Sequence, residues 1–210
     1  MARRPLALIA GLAALVASGA YGAMAAPAGD PAIAAHAAGL LNDRQTQTLG
    51  HPQGDVTIVE FFDYACPFCK AAEPRIEALL KQDKGVRLVV KEFPVLGPDS
   101  VVASRAALAA ARQGRYAAFH QALLLHHGGL DEPAIFEVAH DVGLDVQRLK
   151  RDMADPAITA EIQANLKLAH DIHVPGTPTF IVDNRIVTQP SSSLDFVQLA
   201  RASREGRKGA

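Results

Sequence analysis

The feature that most limits the fold is a strand-like run, a Cys66-Pro67-Phe68-Cys69 tetrapeptide and a helix-like run, following one another almost without spacer. Val56-Thr57-Ile58-Val59-Glu60-Phe61-Phe62 has the β-branched and aromatic content of a buried strand. The pattern after it predicts a helix over about 67–83, stopping before Gly85 as a C′ residue, with Pro74 as an internal kink. Val86-Arg87-Leu88-Val89-Val90-Lys91-Glu92-Phe93 predicts a second strand. Strand, helix and strand at so short a separation make a parallel crossover. The only two cysteines of the chain therefore open a helix, where the dipole and unpaired N–H groups favour a thiolate. A disulfide closing so small a loop constrains the unfolded chain by only about 2 kcal/mol, a poor staple. The pair reads as a redox dithiol.

Residues 1–25 are expected to be a signal peptide: Arg3 and Arg4, an apolar stretch over 6–16, then Ala23-Met24-Ala25 as a cleavage signal. Export would place the dithiol in an oxidising compartment, a bacterial periplasm. Losing Arg3 and Arg4 takes the formal charge from −1 to −3, two positive charges fewer. No basic run of the nucleic-acid-binding kind is present, so nucleic acid is not an expected partner.

The rest divides by pattern. Residues 26–50 read as an arm, with Ile33, Ala37, Leu40 and Leu41 at helical spacing and 42–53 polar and turn-like. Residues 51–97 carry the crossover. Residues 98–172 read as four or five short helices, with Asp99, Asp131, Asp145 and Asp155 placed as N-caps and Gly114 and Gly143 at helix ends. Residues 173–205 return to β character: two short runs around an Asp183-Asn184 turn form a hairpin, and a helix over about 193–205 follows. Residues 206–210 read as a frayed basic tail. The fold class is α/β, in the order β-α-β, helical block, β-β-α.

At this point the motifs match a family. Glu60-Phe61-Phe62-Asp63-Tyr64-Ala65-Cys66-Pro67-Phe68-Cys69-Lys70, then Lys91-Glu92-Phe93-Pro94, then Gly176-Thr177-Pro178-Thr179-Phe180, resemble the DsbA-like exported thiol:disulfide oxidoreductases over residues 50–205. The resemblance implies a thioredoxin-like fold with an inserted all-helical subdomain. It implies that Pro178 is a cis proline lying against the dithiol, and that Pro74 is the kink of the active-site helix. It also implies an activity on cysteines of unfolded secreted proteins, a quinone-linked membrane partner and no cofactor beyond the Cys66–Cys69 disulfide. Many strong oxidases of the family have Pro-His between the cysteines; here it is Pro67-Phe68.

Roles follow for single residues. Cys66 is the expected attacking thiolate and Cys69 the resolving thiol. Without a histidine at 68, the thiol pKa should be only moderately depressed and the couple less oxidising. Glu60 and Lys91 are charges in strands expected to be buried, where an isolated charge is costly unless paired or neutralised. The expectation is a buried acid, Glu60, moving the Cys69 proton with Lys91 as partner and Glu73 one and two turns past the cysteines. With Pro178 cis, the Thr177 backbone can dock an extended client peptide. Pro67, Phe68 and Tyr64 are the expected client-facing surface. Two alternatives stand beside the oxidase: an isomerase or reductase of the same fold, and a copper- or zinc-binding protein using Cys66, Cys69 and His173 near His170. The short arm suggests a monomer or weak dimer.

Overall fold

The computed structural model describes residues 29–41, 46–188 and 190–208; the expected signal peptide lies outside them. Two short helices come first, α1 (Pro31–Ala35) and α2 (Ala37–Leu41), the former capped by Asp30, whose carboxyl accepts from the Ala32 N–H at 2.8 Å. Then follow β1 (Gln47–Gly50), β2 (Val56–Phe62), α3 (Pro67–Gln82) and β3 (Val86–Glu92). Five helices come next: α4 (Pro98–Ala111), α5 (Tyr116–Leu125), α6 (Glu132–Asp141), α7 (Val146–Asp152) and α8 (Pro156–Asp171). β4 (Thr179–Val182), β5 (Arg185–Ile186) and α9 (Phe196–Lys208) close the described chain. None of the described helices is long and apolar enough to cross a membrane.

The sheet has the order β1-β3-β2-β4-β5. β2 and β3 are parallel, as the short crossover requires, while β1 and β4 run antiparallel to their neighbours. β1 corrects the expectation that 42–53 is all turn. Gln47, Thr48, Leu49 and Gly50 are half-polar because they form an edge strand, and edge strands need little apolar content. The hairpin β4–β5 turns on Asp183 and Asn184, both at positive φ (49° and 57°), the backbone that a tight two-residue turn demands.

Pleating sorts the strands into two faces. Ile58, Phe62, Leu88 and Val90 join the larger core with α3, α4, α5 and α9. Val59, Phe61 and Val89 join a second core with Ile33, Leu40, Leu168 and Ile172, so α1 and α2 cover the sheet rather than extend from it.

Three boundaries differ from expectation for local reasons. α3 ends at Gln82 with Asp83 as an extended C-cap, so Gly85 is no C′ residue. Gly85 instead lies where a Cβ would collide with Asp55 and Arg204, which pair with each other. Asp131, Asp145 and Asp155 cap their helices through their side chains, but Asp99 does not. α4 starts two residues earlier, because Gly97 at φ 130° turns the chain directly into Pro98. Finally α9 continues to Lys208, held by Arg204 on Asp55 and Asp83 and by Arg207 on Asp183.

Candidate active site

β2 delivers the chain to the top of the sheet, and a three-residue loop, Asp63-Tyr64-Ala65, hands it to α3. Cys66 is the N-cap of α3 and Pro67 occupies the first helical position, where a missing N–H costs nothing. An N-cap side chain is normally an oxygen that accepts from the first-turn N–H groups. Here a sulfur takes that place, so the end of the helix is completed by an anion if Cys66 is ionised.

Both cysteines are free thiols. The Cys66 thiol is lowered to about 5: the Cys69 thiol donates to its sulfur, and the Thr177 hydroxyl and the Cys69 and Phe68 N–H groups add to this against the opposing effect of burial. That fall, from 9.0, is larger than the moderate one expected without a histidine at 68, and the value lies within the range that reactive cysteines span. Cys69 moves the other way, raised far above an ordinary thiol by burial, by its hydrogen bond to Cys66 and by the nearby Glu60 carboxyl. Cys66 keeps a thin exposed edge (3 %) beside exposed Ala65, Pro67 and Phe68, whereas Cys69 is 1 % exposed. The dithiol is thus chemically asymmetric.

Thr177 and Pro178 lie across from it. Their peptide bond is cis, and Cys66 Sγ as a thiol donates to the Thr177 carbonyl at 3.3 Å. Phe68 is 60 % exposed and presents its ring to solvent at the mouth of the site. A cleft of about 320 Å³ adjoins the site, bounded by Ala65, Lys70, Leu96, Gly129 and Leu130.

Glu60 is fully buried on the face that carries α3. Burial raises its pKa well above the ordinary carboxylate value, and the charges of Glu73 and Cys66 push the same way. Glu73, on α3, is also buried and is pushed up to about 7 by burial and by Glu77. One oxygen of each, Oε2, has no hydrogen-bond partner among the described residues.

Lys91 is not the partner of Glu60. In the parallel register Glu60 pairs with Val90 and Phe61 with Lys91, so consecutive-residue alternation puts the two charges on opposite faces. The buried Lys91 ammonium donates instead to the Gly39 carbonyl and the Thr46 hydroxyl, each at 2.8 Å, and fastens the N-terminal arm to the sheet. Tyr64 is not a client-facing residue either. It is fully buried, edge-on to Phe62 at 5.0 Å, and its hydroxyl reaches Glu92 and His120 at 3.0 Å each. A phenol with two buried polar partners gains more from them than from a place at the rim.

Asp63 carries a role that the sequence reading did not assign. Its fully buried carboxyl accepts from the N–H groups of Ala65 (2.8 Å), Val95 (2.8 Å) and Leu96 (3.0 Å) and from the Ser100 hydroxyl (2.7 Å), and its own carbonyl accepts from the Cys66 N–H at 3.1 Å. Its place between a strand and the dithiol was the available signal; three of its four carboxyl donors lie more than thirty residues onward.

His170 and His173 are both exposed, and His170 faces Asp171 at 3.6 Å. Among the described residues no group of three or more His, Cys, Asp or Glu side chains is arranged to hold a metal ion.

Known proteins are similar to this chain. A thioredoxin-like oxidoreductase from Silicibacter pomeroyi DSS-3 is 44 % identical, with a TM-score of 0.76 over 82 % of this chain and 98 % of that one. The thiol-disulfide exchange protein α-DsbA2 from Wolbachia pipientis is 26 % identical, with a TM-score of 0.74 over 83 % and 93 %. A Na(+)/H(+) antiporter NhaA 3 from Salinispora tropica is 35 % identical over 138 residues, 65 % of this chain but 21 % of the antiporter. The chain thus spans about a fifth of the length of that relative. The family model of the DSBA-like thioredoxin domain matches residues 57–201, from the second residue of β2 into α9 and across the whole helical insertion. On that match, and with its dithiol, cis proline and inserted helices in the places described, this chain belongs to the DSBA-like thioredoxin domain family.

Proposed function

We propose that this chain is a periplasmic thiol:disulfide oxidoreductase that introduces or exchanges disulfides in secreted proteins through Cys66 and Cys69. The observation that carries the reading is the asymmetry of the pair: a thiol lowered to about 5 at the N-cap of α3, beside one raised far above the ordinary range. A nucleophile and leaving group of low pKa at one sulfur, with a buried resolving thiol at the other, is what directional exchange needs.

In the oxidase direction a client thiolate attacks Cys66 Sγ of the disulfide. The S–S bond breaks, its electron pair goes to Cys69, and Cys69 takes a proton. Glu60, kept protonated by burial and close enough to influence Cys69, is the proposed source of that proton, with Glu73 next to it. The second client thiolate then attacks the client sulfur of the mixed disulfide and expels Cys66 as a thiolate. Two electrons have passed to the dithiol, and a quinone-linked membrane partner would take them. No cofactor is needed. Thr177 offers its backbone, and Pro67 and Phe68 an exposed surface, to the client peptide. Because α1 and α2 pack on their own sheet through Ile33 and Leu40, the arm supports a monomer or weak dimer.

The test uses the oxidised protein and an unfolded peptide with two cysteines. One disulfide should form per protein, with the Cys66–Cys69 pair reduced in step. Failure to oxidise the peptide while scrambled disulfides are rearranged would move the reading to isomerase, which Thr177 before the proline also suits. Inertness in both assays would overturn it.

A further inference from the structure

The loop before Cys66 is anchored at two consecutive residues, and the second anchor belongs to the helical insertion. Asp63 is bound by the segment between β3 and α4. Tyr64 is bound by Glu92 at the end of β3 and by His120 on α5. Glu92 Oε1 accepts from two phenols at once, Tyr64 at 3.0 Å and Tyr116 at 2.8 Å. His120 Nδ1 meets the Tyr64 hydroxyl at 3.0 Å, its ring stacks on Tyr116 at 5.5 Å, and Phe62 packs edge-on to it at 4.8 Å. Glu92 and His120 are 1 % and 0 % exposed. No step of the proposed exchange uses any of these four groups.

We propose that Glu92, Tyr64, Tyr116 and His120 form a positioning cluster through which the helical insertion sets the Cys66 sulfur. The inference rests on the exchange reading above. A buried carboxyl shared by two phenols has one geometry of lowest energy, so the Tyr64 ring is fixed at its far end, and with it the loop two residues before the sulfur. The Cys66 thiolate is favoured only where its sulfur meets the Cys69 thiol, the Thr177 hydroxyl and the first-turn N–H groups together. Hydrogen bonds of this kind fall off within a few tenths of an ångström. A loop freed at Tyr64 should therefore lose thiolate stabilisation without any change in the residues that touch the sulfur. Burial pushes Glu92 up to about 8 and His120 down to about 3, so near neutrality both are held largely uncharged. A glutamine at 92 would then preserve the shared acceptor.

The test titrates Cys66 by the ultraviolet absorbance of its thiolate in the reduced full chain, for wild type, Tyr64→Phe, Tyr116→Phe, Glu92→Gln and Glu92→Met. Tyr64→Phe removes one hydroxyl with almost no change of volume and is the deciding variant. It should raise the midpoint by about half a unit or more, so that the thiolate fraction near pH 5 falls roughly twofold or more, and Glu92→Met should do the same or more. Glu92→Gln should restore the wild-type curve. The reduction potential against glutathione should shift with the midpoint. If Tyr64→Phe is folded and titrates like wild type, the positioning role is overturned and the cluster is structural only. The midpoint reads even in a protein that exchanges nothing, so failure of the exchange reading appears separately, as a wild-type protein inert toward the two-cysteine peptide.

Discussion

The Cys66 sulfur lies 3.3 Å from the carbonyl oxygen of Thr177, 111 residues further along the chain. One wall of the site is therefore a helix N-terminus, which welcomes negative charge, and the other is the cis Thr177–Pro178 backbone. Cys66 is the sulfur that both walls share.

Alkylation should follow that geometry. In the reduced protein only Cys66 should react at neutral pH, with a rate that stays level on lowering the pH and falls through about 5. Cys69, 1 % exposed and raised in pKa, should react only on unfolding. Peptide mapping of the alkylated sites checks both. A midpoint near the ordinary thiol value of about 8.5 would contradict the assignment.

The same shift fixes a stability trend. The folded pKa of Cys66 is depressed from 9.0 to about 5, so its stabilising contribution is full above 9 and is lost as the pH falls through 5. Neither cysteine is among the causes of the shifts at Glu73, Glu92 and His120, so these groups should cancel in a comparison of reduced with oxidised protein. The thermal midpoint of the reduced form, relative to the oxidised form, should therefore rise from pH 5 to pH 9. A flat difference across that window would argue against a stabilised thiolate.

Phe68 is 60 % exposed, so a change there leaves the core alone. Phe68→His adds a donor, and at lower pH a positive charge, beside the thiolate. It should lower the Cys66 pKa by about one unit and make the couple more oxidising by about 30 mV. Equilibration with glutathione measures this. The wild-type potential should lie below about −120 mV, the value of the strongest oxidases of the class.

Lys91→Met should separate fold from chemistry. It leaves the Gly39 carbonyl and the Thr46 hydroxyl without the buried ammonium, at about 1–3 kcal/mol of stability. Denaturant unfolding should show that loss, while the Cys66 titration should not change, since Lys91 faces away from the dithiol. Asp63→Ala should do both kinds of harm. It strips an acceptor from four donors, at about 3 kcal/mol or more, and releases the loop that carries Cys66.

The parts of this molecule written in local pattern were legible. β2, α3 and β3 follow from apolar periodicity, the β4–β5 turn from Asp183-Asn184, and three helix starts from aspartates with the right spacing. What stayed hidden is set by tertiary register. Glu60 and Lys91 look like a pair in a list of buried charges, and a single step in strand alignment puts a sheet between them. Tyr64 looks like an aromatic next to a site until α5 places His120 and Tyr116 around it. Asp63 looks like a strand-end residue, because its partners at 95, 96 and 100 become neighbours only when β3 lies beside β2. Gln47-Thr48-Leu49-Gly50 has too little apolar content to announce an edge strand.

Glu60→Gln keeps the shape of a neutral acid but can neither give nor take a proton. Release of the mixed disulfide should slow several-fold and lose its pH dependence between 5 and 8, read by stopped-flow with a two-cysteine peptide. Unchanged kinetics across that range would remove Glu60 from the proton path.

The most direct measurement replaces Cys69 with alanine in the source cell and quenches the culture with acid before thiols can rearrange. The account predicts a ladder of covalent adducts, each a client cysteine joined to Cys66 and released by reductant. A Cys66 recovered wholly as the free thiol, with no client attached under the same quench, would contradict it.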